Sequence, residues 1–269
     1  MIRFLPVCLV LSLTFLMPSR ASAHQSIHTA QRTVTKTIGY KYLLAVPKAP
    51  AGSAEKGWPV LLFLHGSGER GNDGWRAAKH GPPKLIQNKN LSAQERPTAA
   101  FLAENFIVVS PQCPKNQWWN PDAVLAVLDE VLATQPADPR RVYLTGMSMG
   151  GYGAWSLSMA HPDRFAAVAP ICGGGEFASA FMSVTHKRRD LHALGVWAFH
   201  GARDVTVPPS ESERMIDMLQ HMGVTKAKLT VYPQAKHDAW TETYANPELY
   251  RWFLRHVRPA SRKAPVVAD

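Results

Sequence analysis

Long apolar runs are missing from this 269-residue chain. The longest, Phe4 to Met17, has about 14 residues, and a helix needs about 20 to span a bilayer. No other segment comes closer, so an uncleaved membrane anchor is excluded as the first expectation. Cysteine is scarce as well: three residues, Cys8, Cys113 and Cys172. Cys8 lies inside the apolar run and not at its end, so it is not placed to become a lipid-anchored first residue. Neither of the others stands in a motif that would activate it as a nucleophile. There is no internal repeat and no heptad pattern. No nucleic-acid motif accompanies the excess of 30 Lys and Arg over 20 Asp and Glu. Only Lys187-Arg188-Arg189 forms a tight basic cluster, so the charge reads as a solvated face.

What stands at the start is an export signal in order: basic Arg3, the short apolar stretch, then Pro18-Ser19-Arg20-Ala21-Ser22-Ala23 with a small-residue cleavage pattern. Residues 1–23 are therefore expected to be a signal peptide, and the protein to be exported to the periplasm or beyond, with no stable membrane anchor after cleavage. With Arg3 and Arg20 gone, 28 basic and 20 acidic side chains would remain, a net +8. The mature length suits one α/β domain over 24–258. The tail from Pro259, 259–269, lacks apolar periodicity and is expected to be disordered. Outside the cytoplasm a Cys113–Cys172 disulfide is permitted, but spacing alone cannot show that the two approach.

Thr33 to Ile38 and Tyr40 to Val46, rich in Val, Thr, Ile and Tyr around Gly39, predict an N-terminal antiparallel hairpin. From there strands and helices alternate. Val60–Leu64, Phe106–Ser110, Val142–Thr145, Ala166–Ile171, Val196–His200 and Lys228–Tyr232 read as short strands, the first of them apolar throughout and so buried on both faces. Ala123–Thr134, the stretch from Ser148 to about Ala160, Ser210–Met222 and Glu248–His256 read as helices, the third with a Ser210/Glu213 capping box. This order predicts a mainly parallel central sheet with helices on both faces. About two dozen residues separate Ile171 from Val196, too few for a large lid, so an open cleft is expected.

Gly146-Met147-Ser148-Met149-Gly150 is the strongest motif, because a β-rich stretch enters it and a helical one leaves it. A serine on so sharp a strand-to-helix turn needs neighbours without a Cβ two residues away on each side, and Gly146 and Gly150 supply them. A serine nucleophile needs a base and the base an orienting acid, in the order Ser, acid, His. Asp204 follows the strand Val196–His200 on a turn, and His237 follows the last strand. His200 and His221 are the competing histidines, within a strand and a helix. Asp190, Asp217 and Asp238 are the competing acids, before a strand, within a helix and beside the histidine. Oxyanion donors are expected from the amides of Met149 and of Ser67 in His65-Gly66-Ser67-Gly68, with Gly66 and Gly68 as rivals to Ser67. His65 is expected to hold that loop, with Glu69 and Arg70 paired to stiffen it. Trp118 and Trp119 lie in a loop at the same end of the sheet. They are candidates to stack on substrate, with packing under the loop as the alternative.

His65-Gly66-Ser67-Gly68-Glu69-Arg70-Gly71, Ser110-Pro111-Gln112-Cys113-Pro114 with Trp118-Trp119, Gly146 to Gly151, Ala169 to Gly174 and His200 to Asp204 together resemble exported members of the α/β-hydrolase superfamily. The similarity is to polyhydroxybutyrate depolymerase-like, feruloyl esterase-like and prolyl oligopeptidase-type, dienelactone hydrolase-related domains. It implies hydrolysis of a small-molecule or oligomeric ester through an acyl-enzyme, with no metal or organic cofactor. Where dienelactone hydrolases proper use a cysteine, Ser148 stands, which argues against their reaction. A peptidase with the same machinery, and a non-catalytic binding protein on the same fold, are the alternatives. Oligomeric state is not legible.

Overall fold

A computed structural model describes residues 27, 29–33, 35, 37–48 and 57–259. The expected signal peptide, Cys8 and the tail beyond Pro259 lie outside the described residues. The chain divides into two units, Met1–Thr37 and Ile38–Asp269. The described residues of the first form no helix or strand, and everything below belongs to the second.

Seven strands form one sheet: β1 (Tyr42–Ala45), β2 (Trp58–Leu64), β3 (Ile107–Pro111), β4 (Ala137–Met147), β5 (Ala167–Ile171), β6 (Gly195–Gly201) and β7 (Ala227–Tyr232). Their order is β1-β3-β2-β4-β5-β6-β7. Every pairing is parallel except β1 with β3. Nine helices surround the sheet among the described residues: α1 (Gly81–Gln87), α2 (Glu95–Asn105), α3 (Pro121–Thr134), α4 (Met149–Ala160), α5 (Phe177–His186), α6 (Arg188–Ala193), α7 (Ser210–His221), α8 (Trp240–Ala245) and α9 (Pro247–Leu254).

The period-two geometry of a strand explains the two cores. Val60, Leu62 and Leu64 of β2 face α3, α4 and α7, in one cluster with Val127, Trp155 and Ile216. Leu61 and Phe63 face the other way, in a second cluster with Leu102, Tyr250 and Phe253 of α2 and α9. Burying each such side chain contributes about 1.5–3 kcal/mol, and with both faces covered the central strands read as unbroken apolar runs.

Two sequence expectations need correction. The antiparallel partner of Tyr42–Ala45 is β3 and not Thr33–Ile38, whose described residues carry no strand. β3 is buried along its whole length, so its outer edge offers a dry ladder that a two-stranded hairpin in water does not. The Ser210/Glu213 capping box is not made. Pro209 occupies the cap position without a side-chain bond, and the carbonyls of Pro208 and Pro209 accept the first free amides of α7. The reciprocal Ser/Glu pair lies instead at Ser92 and Glu95, where each side chain accepts the other residue's backbone N–H at 3.2 and 2.9 Å. An element the sequence did not predict, α1, lies between β2 and β3, its Pro82 and Pro83 in first-turn positions where no N–H is needed.

Candidate active site

The sheet order places β3 and β4 on opposite sides of β2. That reversal opens a crevice at the carboxyl ends of β2 and β4, where ligands bind in open α/β sheets. The loops carrying Ser67 and Ser148 leave from those two ends.

Ser148 sits between β4 and α4 with φ +53° and ψ −119°, a conformation that costs a non-glycine residue on the order of 1–3 kcal/mol. Packing enforces it. A Cβ on Gly150 would lie 1.9 Å from the Leu64 carbonyl oxygen, and one on Gly146 2.2 Å from that of Gly150. The Ser148 amide donates to the Ile171 carbonyl at 2.9 Å. Asp204 lies beyond β6, buried, its Oδ1 accepting the amides of Thr206 and Val207, each at 2.9 Å. His237 follows β7 on a loop tied to the acid turn by the Arg203 amide, which donates to the Ala235 carbonyl at 3.0 Å.

These three residues, far apart in sequence, meet. His237 Nδ1 lies 2.7 Å from Asp204 Oδ2, and Nε2 lies 2.9 Å from Ser148 Oγ. A carboxylate accepts, so Nδ1 carries the proton and Nε2 is left to accept from the serine hydroxyl. The Trp240 ring meets that of His237 edge-on at 5.2 Å. The competing histidines and acids of the sequence do not join this chain, with one qualification: His200 lies beside Asp204, Nε2 to Oδ2 3.4 Å.

The loop after β2 runs against the serine, since a Cβ on Gly66 would stand 3.6 Å from Ser148 Cβ. Among the described residues the amides of Ser67 and Met149 donate to no backbone acceptor. The second heads α4, where the helix dipole favours negative charge. His65 holds the loop. Its Nδ1–H donates to the Gly66 carbonyl at 2.7 Å, and Nε2 accepts the Cys113 amide at 3.0 Å. Burial pushes this ring down to about 4, keeping it neutral. Glu69 and Arg70 are not paired. Arg70 donates to the carbonyls of Ser67 and Gln117, while the buried Glu69 carboxylate faces Lys79 and His80 at 3.9 and 3.8 Å.

The adjacent tryptophans part company. Trp119 is packed, donating its Nε1–H to the His65 carbonyl at 3.2 Å and lying 4.8 Å from the His65 ring. Trp118 is 66% exposed and meets Tyr152 of α4 edge-on at 6.4 Å. Cys113 and Cys172 are buried free thiols. Burial, and then the charge of Asp204, push Cys172 up to about 12. Cys172, Asp204 and His237 bring potential metal-ligand atoms within 4.8 Å of one another. Hydrogen bonds already engage both Asp204 oxygens and His237 Nδ1, and the thiol holds its proton, so the donor set is spoken for. An open groove of about 920 Å³ runs beside the His237 loop, lined by Lys84, Glu95, Gln234, Lys236, Asp238 and Glu242, but Ser148 does not reach it.

Sequence reasoning missed His200 and Cys172 as neighbours of the acid. The one signal available was that His200-Gly201 ends a strand as His65-Gly66 does.

A parallel sheet with a positive-φ serine between β4 and α4 defines an α/β-hydrolase. The chain belongs to the dienelactone hydrolase family, whose profile matches residues 115–251, just over half of it, and with that family to the carboxylic ester hydrolases. It is 27% identical over 90% of its length, and 88% of the relative's, to a poly(3-hydroxyoctanoate) depolymerase of Pseudomonas fluorescens. A solved thermostable esterase is 31% identical with a TM-score of 0.64, over 81% of this chain and 59% of the esterase. A ferulic acid esterase, 19% identical with a TM-score of 0.60 over 80% of this chain and 91% of its own, shares the fold.

Proposed function

We propose that the protein is an exported serine esterase in which Ser148 is the nucleophile, His237 the general base and Asp204 the orienting acid. The observation that carries this reading is the unbroken hydrogen-bonded chain Ser148 Oγ–His237–Asp204, at 2.9 and 2.7 Å. Ser148 Oγ attacks the ester carbon while His237 Nε2 takes its proton, and the buried carboxylate stabilises the imidazolium that results. The amides of Ser67 and Met149 receive the oxyanion, each such donor being worth about 3–4 kcal/mol in the transition state. His237 then protonates the departing alcohol, and a water deprotonated by the same ring releases the acid from Ser148.

The N-terminal signal pattern supports export, and no helix among the described residues is long and apolar enough to cross a membrane. Two short helices, α5 and α6, fill the stretch between β5 and β6, which supports an open site. Trp118 is the better substrate contact of the two tryptophans, because Trp119 is engaged by His65. The depolymerase relative makes esters of medium-chain hydroxyalkanoates the first acyl class to try.

The test uses the mature protein with p-nitrophenyl esters, acetylated sugars, feruloyl esters and hydroxyalkanoate oligomers, alongside matched amides. Ser148→Ala abolishes turnover and fluorophosphonate labelling. Labelling that survives in the variant would overturn the assignment, and faster cleavage of the amides would make it a peptidase.

A further inference from the structure

We propose that His200 is a positioning residue for Asp204, a fourth group that fixes the tilt of the acid's carboxylate; this rests on the triad reading above. His200 is fully buried at the end of β6, four residues before Asp204. Its Nε2 lies 2.9 Å from the Val207 carbonyl oxygen and 3.4 Å from Asp204 Oδ2. Its Nδ1 lies 2.8 Å from Ser212 Oγ, which in turn lies 3.0 Å from the Gly173 carbonyl oxygen.

The proton positions follow from what each partner can do. The Val207 carbonyl only accepts, so Nε2 carries a hydrogen. Ser212 has one hydrogen to give. It goes to Nδ1 when that nitrogen is bare and to Gly173 when it is not, and in both cases Nε2 keeps its N–H. That N–H is shared between Val207 and the nearer edge of the Asp204 carboxylate.

The acid turn is thereby closed twice. The Val207 N–H donates to Asp204 Oδ1 at 2.9 Å, and the Val207 carbonyl is tied to His200. With Oδ1 alone held, the carboxylate could pivot about that oxygen and swing Oδ2 away from His237. The His200 N–H, 3.4 Å from the same Oδ2, opposes the swing. Ser212, at the start of α7, and Gly173, beyond β5, brace the ring against two further elements. The hydrogen bond between Asp204 and His237 is thus set by a frame reaching the ends of β5 and β6 and the start of α7. Geometric errors near 1 Å at such sites cost about 100-fold in rate.

The test pairs His200→Phe, which keeps a ring but removes both nitrogens, with His200→Gln, whose amide N–H can take the place of Nε2–H. In His200→Phe, kcat for an aryl ester falls about 10–100-fold while KM stays within about twofold. His200→Gln recovers most of the loss. The low-field proton resonance of the His237 Nδ1–H bonded to Asp204 shifts or broadens in the Phe variant and returns in the Gln variant. That signal needs no turnover, so it separates failure of this proposal from failure of the triad reading, which Ser148→Ala tests. Thermal melts confirm folding, and Ser212→Ala, expected to give a smaller loss in kcat, serves if His200→Phe does not fold. A folded Phe variant with wild-type kcat and an unmoved resonance would sink the proposal. So would a Gln variant as slow as Phe, since packing and not the N–H would then be what matters.

Discussion

The same dipeptide stands at the carboxyl ends of two strands, just past one and closing the other, and the two are used differently. His65-Gly66 directly follows β2 and His200-Gly201 closes β6, each histidine fully buried and hydrogen-bonded through both ring nitrogens. His65 has a backbone carbonyl on one side and a backbone amide on the other, so its tautomer is fixed and it serves as a neutral peg for the proposed oxyanion loop. His200 has a serine hydroxyl on one side and the acid turn on the other, 3.4 Å from the Asp204 carboxylate. The first clamp holds backbone and the second holds a charge. A fold of this kind can therefore support both halves of a reaction centre with one local device, tuned by what the second nitrogen meets.

The largest effect comes from breaking the charged side. Asp204→Asn keeps the size of the acid but presents a mixed donor and acceptor to His237 Nδ1, so the ring loses its productive tautomer. The expected outcome is a fall in kcat of about 10⁴-fold with the fold intact. Steady-state kinetics on an aryl ester, with a thermal melt as control, measures it. A loss under tenfold would mean that the acid turn does not orient His237.

The two glycines sharpen the contrast next. A Cβ on Gly201 would lie 2.1 Å from the Lys236 carbonyl oxygen, backbone of the loop that carries His237. Gly201→Ala must displace that loop, at a cost of about 1–3 kcal/mol, seen as a drop of several degrees in melting temperature together with lost activity. Gly66 has φ −77° and ψ 178°, ordinary extended backbone, and its nearest obstacle is the Glu69 carboxylate at 3.1 Å, a side chain able to give way. Gly66→Ala should leave stability within about 0.5 kcal/mol of wild type. Its methyl stands beside Ser148, so kcat/KM falls about tenfold. Equal melting temperatures for the two variants would erase the distinction.

The neutral clamp predicts a dependence on pH. Burial holds His65 at about 4, against 6.5 when unfolded. Because the folded value is the lower, the unfolded chain takes up the proton first as pH falls. The stabilisation is complete above about 6.5 and drains away as pH drops from there toward 4. Melting temperature should fall more steeply across that window in the wild type than in His65→Gln, which cannot titrate. Parallel slopes would show that the ring is not held neutral.

The sequence carried the sheet and the three turns better than it carried their surroundings. Val60–Leu64 was legible because a strand covered on both faces must be apolar throughout, and Val142–Thr145 because its residues favour strands. Ser148, Asp204 and His237 could be named as candidates because each comes soon after its strand, so only local order was needed to bring them forward. His200 and Cys172 were not. Cys172 comes near Asp204 through the β5–β6 pairing, where its amide donates to the Phe199 carbonyl at 2.9 Å, and a lateral register leaves no trace in linear spacing. His200 meets Asp204 within one turn, a contact set by how that turn folds back. The partner of β1 was missed because strand pairing likewise leaves no trace in linear spacing.

The smallest expected effect concerns the rim, where the two sides should become alike. Trp118, next to the Trp119 that packs on His65, is 66% exposed, and Val205, next to Asp204, is 94% exposed. Neither has a share in its neighbouring clamp, whereas Trp119 donates to the His65 carbonyl. Truncating Trp118 to Ala removes the edge contact with Tyr152 and little else, so stability stays within about 0.5 kcal/mol. If the ring stacks on the acyl or alcohol part of the substrate, binding loses about 1 kcal/mol. KM for bulky or aromatic esters then rises about fivefold with kcat unchanged, and KM for an acetyl ester does not move. Val205→Ala, tested on the same pair of esters, should show a weaker version of that pattern. A fall in kcat for the acetyl ester in Trp118→Ala would instead place this ring within the clamp on the His65 side, and the separation of chemistry from rim would fail there.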